Sequence, residues 1–152
     1  MAYGRINKGE VKETREQVKK HVSQMTKDEV NFLVNRLRDL DISKLQISYH
    51  LQQKFIDKDE NLLVNSLLRE DLADLVVEYN ETEQKYGTDR RVLIRLPEEI
   101  LVDLGYFSRY CNLCIVYSFV KNKVITAYYN KVGDNHSTID MSRYDKNLKI
   151  IY

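Results

Sequence analysis

The chain has 152 residues, of which 43% are apolar and 31% charged, with one proline, five glycines and a net charge of +1. That length fits one domain with a real core, and the composition excludes a disordered or linker-rich chain. No apolar run is long enough to span a bilayer, and the start, MAYGRINKGE, lacks the apolar stretch of a signal peptide, so a soluble cytoplasmic protein with no membrane partner is expected.

The charge is unevenly spread. Residues 57–89 carry 3 basic and 10 acidic side chains, whereas residues 90–152 carry 10 basic and 6 acidic ones. This excludes the strong basic bias of a nonspecific DNA binder. It fits a local phosphate-binding cleft, or an acidic docking face for a basic partner. Cys111 and Cys114 form a C-x-x-C, with Cys114 inside a predicted strand and Cys111 at its edge. With no second ligand pair and no helix start to lower a thiol pKa, no metal site and no cofactor is expected.

Val11, Val18, Val22 and Met25 predict a thinly amphipathic helix over 8–24. Thr26 and Glu29 form a capping box that opens a helix to about Leu40. Asp41 or Ser43 caps the next helix, to about Phe55, whose polar face carries Gln46, His50, Gln53 and Lys54. Asp59-Glu60 starts a third helix to about Arg69, with acidic residues at the positive end of its dipole.

After Ala73 the period becomes two. Leu75, Val77 and Tyr79 alternate with Val76, Glu78 and Asn80 in a first strand. A turn-rich connection over 81–89 leads to a strand from Arg90 to Leu96, in which Arg91, Leu93 and Arg95 share a face. Pro97-Glu98-Glu99 predicts a short helix over 97–106. Strands over 112–120 and 123–130 form a hairpin turning at Lys121-Asn122-Lys123, and Leu148–Ile151 reads as a last short strand or apolar anchor. The expected fold is α+β, with N-terminal helices packed on a four- to five-stranded antiparallel sheet. Residues 1–42 read as a helical arm and 43–152 as a helix-plus-sheet domain.

Chemistry concentrates at a few positions. Arg91 and Arg95 either pair across the strand with Glu78 or bind phosphate and stabilise a developing phosphorane. His136 lies in a polar loop, D-N-H-S-T-I-D, where a carboxylate could orient its ring. His50 stands beside Lys54 on a helix face, and His21 reads as a surface residue among lysines. No Walker loop, dinucleotide glycine pattern, H-E-x-x-H or G-x-S-x-G is present. Nucleotide hydrolysis, hydride transfer and serine hydrolase chemistry are therefore unsupported, while a metal-free ribonuclease needs only a base, an acid and cations at the phosphate.

SYHLQQKF, DLVVEYN, RRVLIRL, NLCIVYSFV and KVITAYYN, followed by D-N-H, together resemble the phage-type branch of the barnase, EndoU, colicin and RelE-like nucleases over about residues 43–144. The resemblance implies a small metal-independent ribonuclease of toxins or mobile elements, cleaving RNA by 2′-hydroxyl attack to a 2′,3′-cyclic phosphate. It places His50, Arg91, Arg95, and His136 or Thr138 along the cleft, and His50, Arg91, Arg95 and His136 are the residues expected to act in catalysis. Lys54, Asn130, Thr138 and Arg143 would then bind substrate. Two other readings stand beside it. One is a non-catalytic phage-encoded inhibitor of a host defence nuclease, acting through the helical arm or the acidic surface. The other is a helix-turn-helix over 26–56, which offers only Lys54 as a cation on its recognition helix. The partner is thus RNA or a host protein, either a nuclease or an immunity partner, and the oligomeric state is open.

Overall fold

The computed structural model describes residues 17–49, 51, 60–85, 87–103, 105–133 and 144–150. Within them the order is β1 (Gln17–His21), α1 (Lys27–Arg38), β2 (Gln46–Ile47), α2 (Glu60–Leu67), β3 (Val76–Gln84), β4 (Gly87–Arg95), β5 (Ile100–Asp103), β6 (Ser108–Ser118) and β7 (Lys123–Lys131). The seven strands form one sheet in the order β1-β3-β4-β6-β7-β2, with β5 also paired to β6. All pairings are antiparallel except the short β2–β7 contact, so the sheet is mixed.

The α+β class stands, with more strands and fewer helices than the patterns predict. Of the helix expected over 8–24, residues 8–16 lie outside the described residues. The remainder is β1 and a 3-10 turn over Val22–Gln24. Its apolar stripe is too thin to hold a helix against a core, and the edge of β3 is there to pair with. The helix predicted from Asp41 begins as a 3-10 turn capped by the Asp41 carboxylate, which accepts from the Ser43 amide at 3.0 Å, and continues as β2. Only Tyr49 and Leu51 of that stretch are described as helical. The predicted helix over 97–106 is instead β5, because Ile100–Asp103 finds a partner in Ser108–Cys111. The 81–89 connection is a tight hairpin, with β3 running to Gln84 and β4 starting at Gly87, whose φ is +131°.

The predicted α1 is present with its capping box. Thr26 Oγ1 accepts from the Glu29 amide at 3.1 Å, and Glu29 Oε1 accepts from the Thr26 amide at 2.9 Å. Val30, Leu33, Val34 and Leu37 are buried along one face of α1. They pack with Leu63 and Leu67 of α2, and with Val92, Ile94, Leu113, Ile115 and Ala127 of the sheet. Each such leucine or isoleucine removed from water stabilises the fold by roughly 1.5–3 kcal/mol.

The β6–β7 hairpin turns where predicted. Asn122 takes the left-handed conformation (φ 48°), and its side chain accepts from Tyr117 Oη at 2.6 Å and donates to the Asp41 carbonyl at 3.0 Å. Beyond the hairpin, Leu148 and Ile150 pack against the core as the predicted apolar anchor.

Lys20 ties this anchor down. It is only 5% exposed, and its ammonium donates to Glu29 Oε2 at 2.6 Å and to the Leu148 carbonyl at 3.1 Å. Burial opposes the charge on Glu29, but the Lys20 ammonium and the Thr26 groups outweigh it and hold the carboxyl below its ordinary range. One buried cation thus joins β1, the start of α1 and the tail. Lys20→Met is expected to lower the unfolding free energy by about 2 kcal/mol, since it removes two charge-assisted bonds and leaves Glu29 Oε2 without its cation. Urea unfolding checks this, and proteolysis should cut the variant first between 144 and 150. An unchanged unfolding midpoint would contradict the role given to Lys20.

Candidate functional site

The sheet has two unlike faces. Strand alternation places Val92, Ile94, Leu113 and Ile115 on the face covered by helices. The residues between them share the other face with the side chains opposite them on neighbouring strands. Three rows cross it. One runs Lys19, Asn80, Arg91, Ser118; the next runs His21, Glu78, Leu93, Val116, Thr126; the third runs Arg95, Cys114, Tyr128. The alternation of β3 carries a register shift between Val76 and Glu78. Val76 is therefore buried in the core although the simple period places it with Glu78.

Arg91 does not pair with Glu78. Its Nε donates to Asp89 Oδ2 at 2.6 Å. Asp89 is 2% exposed and also accepts from Ser118 Oγ at 2.7 Å, with the Lys121 ammonium 3.9 Å away. Burial works against the charged carboxyl, but the Ser118 hydroxyl and the Arg91 guanidinium outweigh it and hold Asp89 below its ordinary range. Arg91 is thus gripped by Asp89 through its Nε.

Arg95 is held differently. Its Nε donates to Asn112 Oδ1 at 3.0 Å and its Nη2 to the Lys131 carbonyl at 2.7 Å. Asn112 is buried, and its amide donates in turn to the Glu98 carbonyl at 3.1 Å. This contact serves the backbone where the chain leaves β4 at Pro97 and rejoins β6 as β5. Arg91 and Arg95 lie four positions apart on one strand, about 13 Å along it, and their anchors hold them at separate points.

Between them sits a group that period-two alternation alone does not distinguish. Glu78 Oε2 accepts from Tyr144 Oη at 2.6 Å, and Glu78 Oε1 lies 3.8 Å from the Lys19 ammonium. The His21 ring stands edge-on to Tyr144, with centroids 5.9 Å apart. Tyr128 is pushed up to about 12, first by burial, then by Cys114 and Glu78, while Arg95 pulls the other way. Tyr128 therefore stands within electrostatic reach of both Glu78 and Arg95. His21, Lys19 and Tyr144 escape a reading of the sequence because they join Glu78 only through β1 pairing and the tail, which are long-range contacts.

Of the other expected residues, Asn130 lies on β7 opposite Asn112, at the Arg95 end of the face. His50, His136, Lys54, Thr138 and Arg143 lie outside the described residues. Cys111 and Cys114 are three positions apart on β6 and so point to opposite faces, both buried and unbonded to each other. Among the described residues, no group of three histidine, cysteine or acidic side chains is placed to hold a metal ion, and no helix is long and apolar enough to cross a membrane.

The site also sets a pH dependence. The Asp89 carboxyl is depressed in the folded state and ordinary in the unfolded one. Its contribution to stability is therefore complete above the ordinary value of 3.8 and is lost as pH falls through the folded value. Asp89→Asn is expected to cost about 2 kcal/mol at neutral pH and to flatten the acid limb of the stability curve. Urea midpoints measured from pH 7 down to pH 3 test this. A variant as acid-sensitive as the wild type would show that Asp89 is not the titrating group.

No family model, no curated protein and no solved structure matches this chain.

Proposed function

We propose that the polar face of the sheet is the RNA site of a metal-independent ribonuclease-like effector of phage or mobile-element type. The observation that carries this reading is Glu78, a carboxylate fixed by Tyr144 and Lys19 on the face that also presents Arg91 and Arg95. In this scheme Glu78 takes the proton of a 2′-hydroxyl, and the freed oxygen attacks the adjacent phosphorus. Arg91 and Arg95 neutralise the non-bridging oxygens as charge develops there. The bond from phosphorus to the 5′ oxygen breaks, and His50 or His136, the histidines given roles by the nuclease resemblance, protonates that oxygen. The products are a 2′,3′-cyclic phosphate and a 5′-hydroxyl, so atoms and charge balance without a metal.

Glu78→Gln keeps an oxygen that can accept from Tyr144 but cannot take a proton. It is expected to lower cleavage of a single-stranded RNA in EDTA by about 100-fold or more while leaving the unfolding midpoint in place. Arg95→Ala should lower it by a similar factor. Wild-type protein that cleaves no RNA, or a Glu78→Gln variant of full activity, would overturn the assignment.

A second reading is favoured by the exposed acidic turn of Glu70, Asp71 and Asp74. Such a surface suits a non-catalytic inhibitor that occupies the cationic channel of a host defence nuclease. Stoichiometric capture of a nuclease, lost when these three residues become Asn or Gln, would favour it over RNA cleavage.

A further inference from the structure

The β5–β6 hairpin bears on neither of those readings. It extends past the end of β4 and exposes a cluster of large apolar side chains: Ile100, Leu101, Tyr106, Phe107 and Tyr110. Leu101 is 57% exposed, Tyr110 56% and Tyr106 fully so. Leu101 and Tyr110 share one face, Ile100 lies on the other, and the Arg109 guanidinium stands 4.9 Å over the Phe107 ring at the turn, so the apolar patch on the Leu101 face is on the order of 300 Å². A patch of about 300 Å² is of the size often used for an interaction, and because it is well below the ~800 Å² each partner gives to a standard interface, the unpaired backbone edge of β5 must supply much of the contact.

The backbone makes the cluster directional. On its far side, Tyr110 accepts from the Val132 amide at 3.0 Å, so its peptide groups face β7. Leu101 lies opposite Tyr110 across the β5–β6 pair. In an antiparallel ladder this makes Leu101–Tyr110 a pair without mutual backbone bonds, and turns the N–H and C=O of Leu101 to the outer edge of β5. Among the described residues nothing pairs with that edge. An apolar strand edge of this kind is a template for another strand.

We infer that the outer edge of β5 pairs with β5 of a second copy of this chain, about a two-fold axis at Leu101. The register follows from the faces. A two-fold axis perpendicular to the sheet keeps each face continuous only where a residue meets its own copy. Pairing Leu101 with Leu101 gives two backbone hydrogen bonds and one unbroken row: Tyr110, Leu101, then Leu101 and Tyr110 of the second copy. Pairing Val102 with itself would instead set each Leu101 against an Asp103. The Leu101 register places Asp103 opposite Glu99, both exposed at the rim where water and salt screen their repulsion. The dimer would join two seven-stranded sheets and leave the Glu78 face of each copy on the same side.

Sedimentation velocity of the full chain, over a hundredfold range of concentration, tests this. The expected species has twice the 18.0 kDa chain mass. Leu101→Lys should return it to one chain mass with an unchanged far-ultraviolet circular dichroism spectrum. Leu101→Cys, oxidised in solution, should give a reducible cross-linked dimer, because residues paired on the axis lie within disulfide reach. Cys111 and Cys114 are buried and should not compete. A wild type at one chain mass throughout overturns the inference, as does a dimer that Leu101→Lys leaves intact or that Leu101→Cys fails to lock. A monomer whose hairpin tyrosines are instead quenched by an added oligonucleotide overturns it in favour of base stacking.

Discussion

The buried carboxylate of Asp89 is the interaction on which the polar half of the sheet depends. Removing a carboxylate from water costs several kcal/mol unless every lone pair finds a donor. Here the donors are Arg91 on β4 and Ser118 at the end of β6, and the Lys121 ammonium of the following turn adds a positive charge 3.9 Å away. Ser118 bonds Asp89 and also accepts from the Lys121 amide at 3.1 Å, so the same hydroxyl sets the start of the β6–β7 turn. Arg91 must stay beside Asp89 for the carboxylate to remain buried and charged. The register of β4 on β6, the position of the turn and the aim of one arginine therefore stand or fall together.

The opposite end of β4 is governed by a backbone interruption. Pro97 cannot donate to a ladder, and the chain steps away from β6 between Leu96 and Ile100 before pairing again as β5. Asn112 fills the gap, donating to the carbonyls there and accepting from Arg95. Each arginine of the polar face is thus fixed by a buried polar partner, Asp89 for Arg91 and Asn112 for Arg95. Glu78 sits between these two fixed points, held by residues from β1 and from the tail. Lys20, from the core side of β1, keeps that tail in place through the Leu148 carbonyl. Core packing and the geometry of the polar face are linked through one short edge strand.

Local chemistry made some of this legible in the sequence and non-local pairing hid the rest. The Thr26–Glu29 capping box, the apolar face of α1 and the turn at Asn122 depend on neighbours in sequence, and the patterns announce them. The sharing of one face by Arg91 and Arg95 follows from period-two alternation in the same way. Pro97-Glu98-Glu99 carries the signature of a helix start, yet the β-branched and aliphatic run behind it pairs with Ser108–Cys111, and tertiary pairing overrides the local signal. β1 was hidden because its segment carries a thin stripe of helical period and none of period two, and it exists only on the edge of β3. The bulge at Val77 reverses the alternation of β3 at its start. The candidate site was legible for its arginines, which share a strand, and for Glu78 as their neighbour across the hairpin, and not for Tyr144, Lys19 and His21, which reach Glu78 from the tail and from β1.

One face of this sheet is a conventional core, and we propose that the other binds a nucleic-acid backbone. The most direct measurement is a titration of the isotopically labelled full chain with a 2′-deoxy oligonucleotide, which lacks the attacking hydroxyl and so reports binding without turnover. Amide and side-chain shifts are expected at Lys19, Glu78, Arg91, Arg95 and Tyr128, with Val30, Leu33 and Leu37 undisturbed. Shifts confined to the helical side, or none at all at saturating oligonucleotide, would contradict that proposal.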